Sequence, residues 1–238
     1  MWKVVPLCEK QLRDVDKNDI LHGGYFRKCN IYKSGGGYDK FPSICKSRLN
    51  MNGNNQFVVQ LYACSLKCPY CYVTPDGIWG KYKTFTTNEL IDYFIESKQD
   101  VFHLMGGSPA LYLENWHEII DILPSDKVFH SDLLCIEKVY NKEYLRKINK
   151  PNCLYAVSVK GTNLEEFKKN TGMDYNPILF WYNIQQLILE GINFYFTFTN
   201  IDKVNIDKFK KTFSLFYDPI LFQDSFNIDL IDYEALKD

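Results

Sequence analysis

The chain has almost no net charge. Its 28 Lys and Arg stand against 29 Asp and Glu, a formal charge of -1 over 238 residues. That balance argues against a protein built mainly to coat nucleic acid or an anionic membrane. Long apolar runs are missing too: none approaches the roughly 18 residues needed to span a bilayer. The opening MWKVVPLCEKQLRD lacks the apolar stretch of a secretory signal, so a cytoplasmic location is expected. The sequence shows no repeat of fixed period and no low-complexity tract. It also has no second C-x2-C pair to match the one at Cys68 and Cys71.

What is present fits one sizeable α/β domain. Hydrophobic residues make up 46% of the chain and aromatics 16%, with 17 Tyr and 17 Phe. At this length a full core can form, and the aromatics are read as part of that core. There are eight cysteines: Cys8, Cys29, Cys45, Cys64, Cys68, Cys71, Cys135 and Cys153. In a reducing compartment, clustered thiols more often bind metal or do redox chemistry than form disulfides.

Two textures divide the chain. Residues 1–55 are rich in turn chemistry (LHGG, KSGGGYDKFPS, NMNGNN) and read as an irregular, loop-rich extension. The triple glycine Gly35 to Gly37 would suit a flexible lid. Residues 56–238 alternate strand-like runs with amphipathic segments and read as the core. The strands are QFVVQLYAC, VFHLMGG, KVFHSD, CLYAVSVKG, INFYFTFTN and one within FNIDLIDYEAL. Thr86 with Glu89, and Thr162 with Glu165, form capping boxes. Asn176, Pro177 and Gly191 bracket another helix. Alternating strands and helices imply parallel pairing. Six such units fall short of the eight of a closed barrel, so an open partial (β/α)6 barrel is expected. Its working residues would lie at the C-terminal ends of the strands.

The first strand runs into YACSLKCPYCYV, which holds Cys64, Cys68 and Cys71 at C-x3-C-x2-C spacing. A structural zinc site wants four ligands, and the fourth would have to come from Cys45, Cys135 or a His. A redox C-x-x-C needs only Cys68 and Cys71 and leaves Cys64 unexplained. An iron–sulfur cubane fits better, because three thiolates leave one iron open to a ligand.

The C-x3-C-x2-C spacing, with Tyr70 just before the last cysteine, resembles the signature of the radical S-adenosylmethionine (SAM) enzymes. The resemblance implies a [4Fe–4S] cluster on Cys64, Cys68 and Cys71 whose open iron is chelated by SAM. Reductive cleavage of SAM would then give a 5′-deoxyadenosyl radical that abstracts hydrogen from a substrate. A reducing flavodoxin or ferredoxin is the implied partner.

MGGSP, Met105 to Pro109, resembles the Gly-Gly-Glu-Pro motif of that superfamily, with Ser108 in place of the Glu. The resemblance places Gly106, Gly107 and Ser108 at the SAM amino group, and Ser for Glu puts a charge-assisted contact in doubt. YAVSVKG, Tyr155 to Gly161, resembles the fourth-strand segment of the glycyl-radical-enzyme (pyruvate formate-lyase) activating group. There Ser158 and Lys160, on one strand face, would reach toward SAM. Thr197, Thr199 and Asn200 end the fifth strand and could reach the adenosine. His103, Met105, His130 and Asp132 are substrate-side candidates.

The first functional expectation is therefore an activating-enzyme-like oxidoreductase acting on a glycine of a partner protein. Alternatives are a radical SAM enzyme modifying a peptide or a small molecule, such as a deazaguanine precursor, and a non-catalytic metal-binding module suggested by Ser108. Cys8, Cys29 and Cys45 match no cluster spacing and are read as free thiols rather than auxiliary ligands.

Overall fold

The computed structural model describes residues 1–30, 55–71 and 73–216. The expected sixth strand, the glycines Gly35 to Gly37 and Cys45 lie outside them. In chain order the elements are β1 (Trp2–Val4), α1 (Glu9–Asp14), β2 (Ile20–Leu21), β3 (Phe26–Asn30) and β4 (Asn55–Gln60). Then come α2 (Pro75–Trp79), β5 (Lys83–Phe85), α3 (Thr87–Ser97), β6 (Val101–Met105) and α4 (Trp116–Ile120). The last are β7 (Val128–Leu133), α5 (Lys142–Ile148), β8 (Cys153–Val159), α6 (Leu164–Thr171), α7 (Pro177–Leu189), β9 (Phe194–Phe198) and α8 (Lys203–Phe216).

The described residues form one sheet in the order β2-β3-β4-β6-β7-β8-β9. From β4 to β9 every neighbouring pair is parallel, with helices between successive strands. This mostly parallel α/β sheet is consistent with a partial barrel of the expected type. Among the described residues no helix is long and apolar enough to cross a membrane.

The alternation of side chains along each strand sorts the sheet into two faces. Register aligns Phe57, Phe102 and Phe129 with Cys153 across four strands, and Val58, His103 and His130 with Leu154 one residue on. The first set belongs to the apolar core, where Phe102 lies 5.5 Å from Phe94 of α3 and Trp116 of α4 lies 5.7 Å from Tyr155. Each such ring contributes about 1.5–3 kcal/mol by leaving water. The second set faces away from the helices.

Local signals explain most helix starts. Thr86 and Glu89 make the expected capping box at α3, and Asn176 caps α7 by accepting the Leu179 N–H. At α6 the box shifts by one residue. Asn163 is the cap, and Glu166, not Glu165, takes the Thr162 N–H and hydroxyl. Asn163 wins because its short amide side chain reaches the Glu166 N–H from an extended backbone.

The expectation of an irregular N-terminal stretch does not hold for residues 1–30. β3 lies antiparallel to β4, extending the sheet, and β1 pairs with β5 in a separate two-stranded sheet. The Gln60 side chain ties this region down: it accepts from Gln11 at 2.8 Å and donates to the Gly77 carbonyl at 2.8 Å. Strands of two to five residues whose partners lie far along the chain leave little periodicity to read.

Candidate active site at the strand ends

The cysteine loop leaves β4 through Ala63, whose φ of 81° is rare for a residue with a side chain. Two backbone bonds hold it there: its N–H donates to Ile78 O at 3.0 Å, and its carbonyl accepts the Ser108 N–H at 2.9 Å. The turn after β6 makes this possible. Gly106 and Gly107 have φ of 75° and 56°. A Cβ on Gly107 would lie 1.9 Å from the Ala63 oxygen, and one on Gly106 would lie 2.3 Å from Gln60 Cγ. The glycines thus let the turn close on the cysteine loop itself.

Leu66 pins the other side of the loop. It is buried with Leu134 and Phe167, and Cys64 and Cys68 pack against that cluster. The Lys67 N–H donates to the Thr171 carbonyl at the end of α6. Cys64, Cys68 and Cys71 are half-buried free thiols, close enough that charge on Cys64 raises the pKa of both Cys68 and Cys71. Burial is the main cause holding the Cys68 and Cys71 thiols above the ordinary range, and Lys160 opposes it at both. The buried Tyr70 hydroxyl is pushed upward, first by burial and then by Cys68 beside it.

This donor set fits an iron–sulfur cubane: three thiols lie on one loop, and in a cubane each thiolate holds its own iron while the fourth iron stays open to a ligand. The apolar wall of Leu66, Leu134 and Phe167 gives the loop the dry surroundings that tune such centres.

The other expected residues gather at the same end. Ser158 Oγ lies 3.2 Å from Thr197 Oγ1, and Lys160 Nζ donates to Thr199 Oγ1 at 3.2 Å. Lys160 lies within electrostatic reach of Cys68, Cys71 and Asp132, and lowers the pKa of all three. Ser108 lies at this end too, against Cys64. Its side chain is fully buried under the cysteine loop, where Oγ accepts the Ser65 N–H at 2.9 Å. Asn200 has a φ of 52°, and its carbonyl accepts from Asn170, which also bonds the Lys160 carbonyl.

Below these ends lies a buried polar floor. His103 Nδ1 is 2.9 Å from Gln56 Oε1, and His103 Nε2 is 3.7 Å from Asp132 Oδ2. The His103 and His130 rings meet edge-on at 4.4 Å. His130 Nε2 is 3.0 Å from the Tyr195 hydroxyl, and its Nδ1 is buried without a hydrogen-bond partner. Burial, then the charge of His103, drop the His130 pKa to about 3, so its ring is neutral at pH 7. Asp132 is held below the usual carboxylate range: burial raises its pKa, but His103, His130 and Lys160 outweigh that. Gln56 and Tyr195 escaped the sequence reading, although polar groups at inward positions of otherwise apolar strands were the signal that could have found them.

The family model for the radical SAM superfamily matches residues 58–216. Among solved structures, TYW1 with a lysine-pyruvate adduct bound superposes with a TM-score of 0.53 at 14% identity, covering 87% of this chain and 77% of that one. Native anSMEcpe with bound AdoMet gives 0.48 at 15% identity, covering 65% of this chain and 45% of its own. TsrM from Kitasatospora setae, with cobalamin and a [4Fe-4S] cluster bound, gives 0.46 at 12% identity, covering 64% of this chain and 33% of its own. The chain thus spans less than half the length of anSMEcpe or TsrM. A search of curated protein sequences finds no match. With the family model spanning well over half of the chain, the protein belongs to the radical SAM superfamily of enzymes, whose cofactors are a [4Fe–4S] cluster and S-adenosylmethionine.

Proposed function

We propose that Cys64, Cys68 and Cys71 hold the cluster and that the strand ends around Lys160 receive SAM. Residues 56–238 would be the catalytic core and residues 1–55 an N-terminal extension, of which β3 adds to the sheet beside β4. The single observation that carries this reading is the convergence of three thiols and one lysine at one end of the parallel sheet. When bound, the cofactors supply a radical able to take hydrogen from an unactivated carbon.

The chain's own residues do the positioning. Gly106 and Gly107 bring the turn after β6 against the cysteine loop. Lys160 supplies positive charge toward the cysteine thiolates and a ligand carboxylate. Ser158, Thr197 and Thr199 offer hydroxyls to a ribose. Tyr70 shields the loop from water. His103, Asp132 and His130 face a substrate from the floor, where a neutral His130 can exchange hydrogen bonds without carrying charge.

Two substrate readings rest on two observations. The segment Tyr155 to Gly161, with Ser158 and Lys160 on one face, favours an activating-enzyme-like oxidoreductase that takes a glycine hydrogen from a partner protein. The polar floor of His103, His130 and Asp132 favours a small polar molecule or a peptide. A flavodoxin or ferredoxin as reductant and a cytoplasmic setting belong to the same proposal.

Mutation tests the assignment. Cys68→Ala should abolish both cluster loading and SAM cleavage, and retention of either at the wild-type level would sink it. Mixing the reduced, SAM-loaded protein with a glycyl radical enzyme then separates the substrates. A persistent glycyl EPR signal supports the first reading, and its absence with continuing 5′-deoxyadenosine release supports the second.

A further inference from the structure

Ser108 stands where the superfamily motif carries a glutamate, and its neighbours give it a different task. The side chain is 0% exposed. Both backbone groups are engaged: the N–H donates to Ala63 O and the carbonyl accepts the Leu111 N–H. The hydroxyl is therefore held in place, with Oγ accepting the Ser65 N–H at 2.9 Å and lying 3.4 Å from Cys64 Sγ. A serine hydroxyl has one hydrogen to give. The Ser65 N–H takes one acceptor site of the hydroxyl; across the 3.4 Å contact either atom could donate while Cys64 is a thiol, but toward a thiolate only the hydroxyl can. The Leu66 N–H also points at this sulfur, at 3.4 Å.

We infer that Ser108 is a positioning residue for the metal centre, donating a hydrogen bond to the Cys64 thiolate rather than contacting SAM. The inference rests on the reading of Cys64 as a cluster ligand. An ionised glutamate could not do this, because a carboxylate only accepts and would face a second anion. Hydrogen bonds to the sulfurs are among the factors that set a cluster's potential. A donor favours the reduced, more negative cluster, so Ser108 raises the potential while fixing the ligand's rotamer. Serine for glutamate is then an exchange of role, from a SAM contact to a support of the first cysteine.

The test compares wild type, Ser108→Ala and Ser108→Thr after anaerobic reconstitution. It reads iron per chain, the cluster midpoint from an EPR-monitored redox titration, and SAM affinity. Ser108→Ala should load the same iron and shift the midpoint to more negative potential. Its SAM affinity should stay within about twofold of wild type. Ser108→Thr, which keeps the hydroxyl, should restore the midpoint. An unmoved midpoint in Ser108→Ala with SAM binding weakened about tenfold or more would overturn the inference and return Ser108 to the SAM site. If Ser108→Ala does not fold, pulsed EPR of the reduced wild-type cluster after mixing into D2O decides. A coupled deuteron that appears at hydroxyl exchange rates supports the bond, and its absence overturns it. Wild type that takes up no iron would defeat the reading of the cysteines. Loaded wild type with an insensitive midpoint defeats this inference alone.

Discussion

The two faces of the parallel sheet are built from alternate residues of the same strands, yet they do opposite work. On β9, Phe194, Phe196 and Phe198 enter the core under the helices, and Phe196 packs 5.2 Å from Phe209 of α8. Between them Tyr195 and Thr197 turn inward, Tyr195 to His130 and Thr197 to Ser158. β6 and β7 repeat the contrast, with Phe102 and Phe129 outward and His103 and His130 inward. The outer face holds the fold together. The inner face retains buried polar groups, including a ring nitrogen of His130 with no hydrogen-bond partner. Burying such groups costs stability, which points to a functional reason for keeping them.

Substitutions on the two faces should separate along that line. Phe196→Ala, on the outer face, should cost about 3–5 kcal/mol of unfolding free energy through lost burial and a cavity. Urea titration of the apo-protein checks it, and a loss under about 1 kcal/mol would break the contrast.

The inner face should show itself in the pH dependence. His130 has its folded pKa lowered from 6.5 to about 3. Between those values the unfolded chain binds a proton that the folded chain refuses. His130 therefore makes stability fall progressively as pH drops from about 6.5 toward 3. His130→Gln should flatten that slope in thermal melts, and an unchanged slope would contradict the assignment of a buried neutral ring.

Gly107→Ala tests the joint between the turn and the cysteine loop. A residue with Cβ at this φ costs about 1–2 kcal/mol, and the Ala63 carbonyl blocks the added carbon. We expect a comparable loss of stability and a fall in iron per chain after reconstitution. The smallest effect should come from the inner neighbour of Phe196. Thr197→Val removes one hydroxyl contact worth about 0.5–1.5 kcal/mol. It should lower the melt by only a few degrees while weakening SAM-dependent turnover.

Much of this was legible in the sequence because the relevant signals are local. Strand-like runs alternating with helical segments give the parallel strands, Thr86 with Glu89 starts α3, and three cysteines in eight residues mark the loop. The β1–β5 pair escaped because it joins residues 2–4 to residues 83–85, and three-residue strands carry no period. The polar floor was half visible: the histidines stood out, but their contacts with Gln56 and Tyr195 depend on register across the sheet. The contact between Ser108 and Cys64 was hidden because the two residues are 44 positions apart in the chain. Only folding brings the turn after β6 under the loop after β4.

The most direct test of the inner face as a reactive site is anaerobic reconstitution with iron and sulfide, followed by dithionite and SAM. Iron per chain and 5′-deoxyadenosine are measured together. The expected result is about four irons per chain with 5′-deoxyadenosine released. Bound zinc, or a loaded cluster that leaves SAM intact, would contradict it.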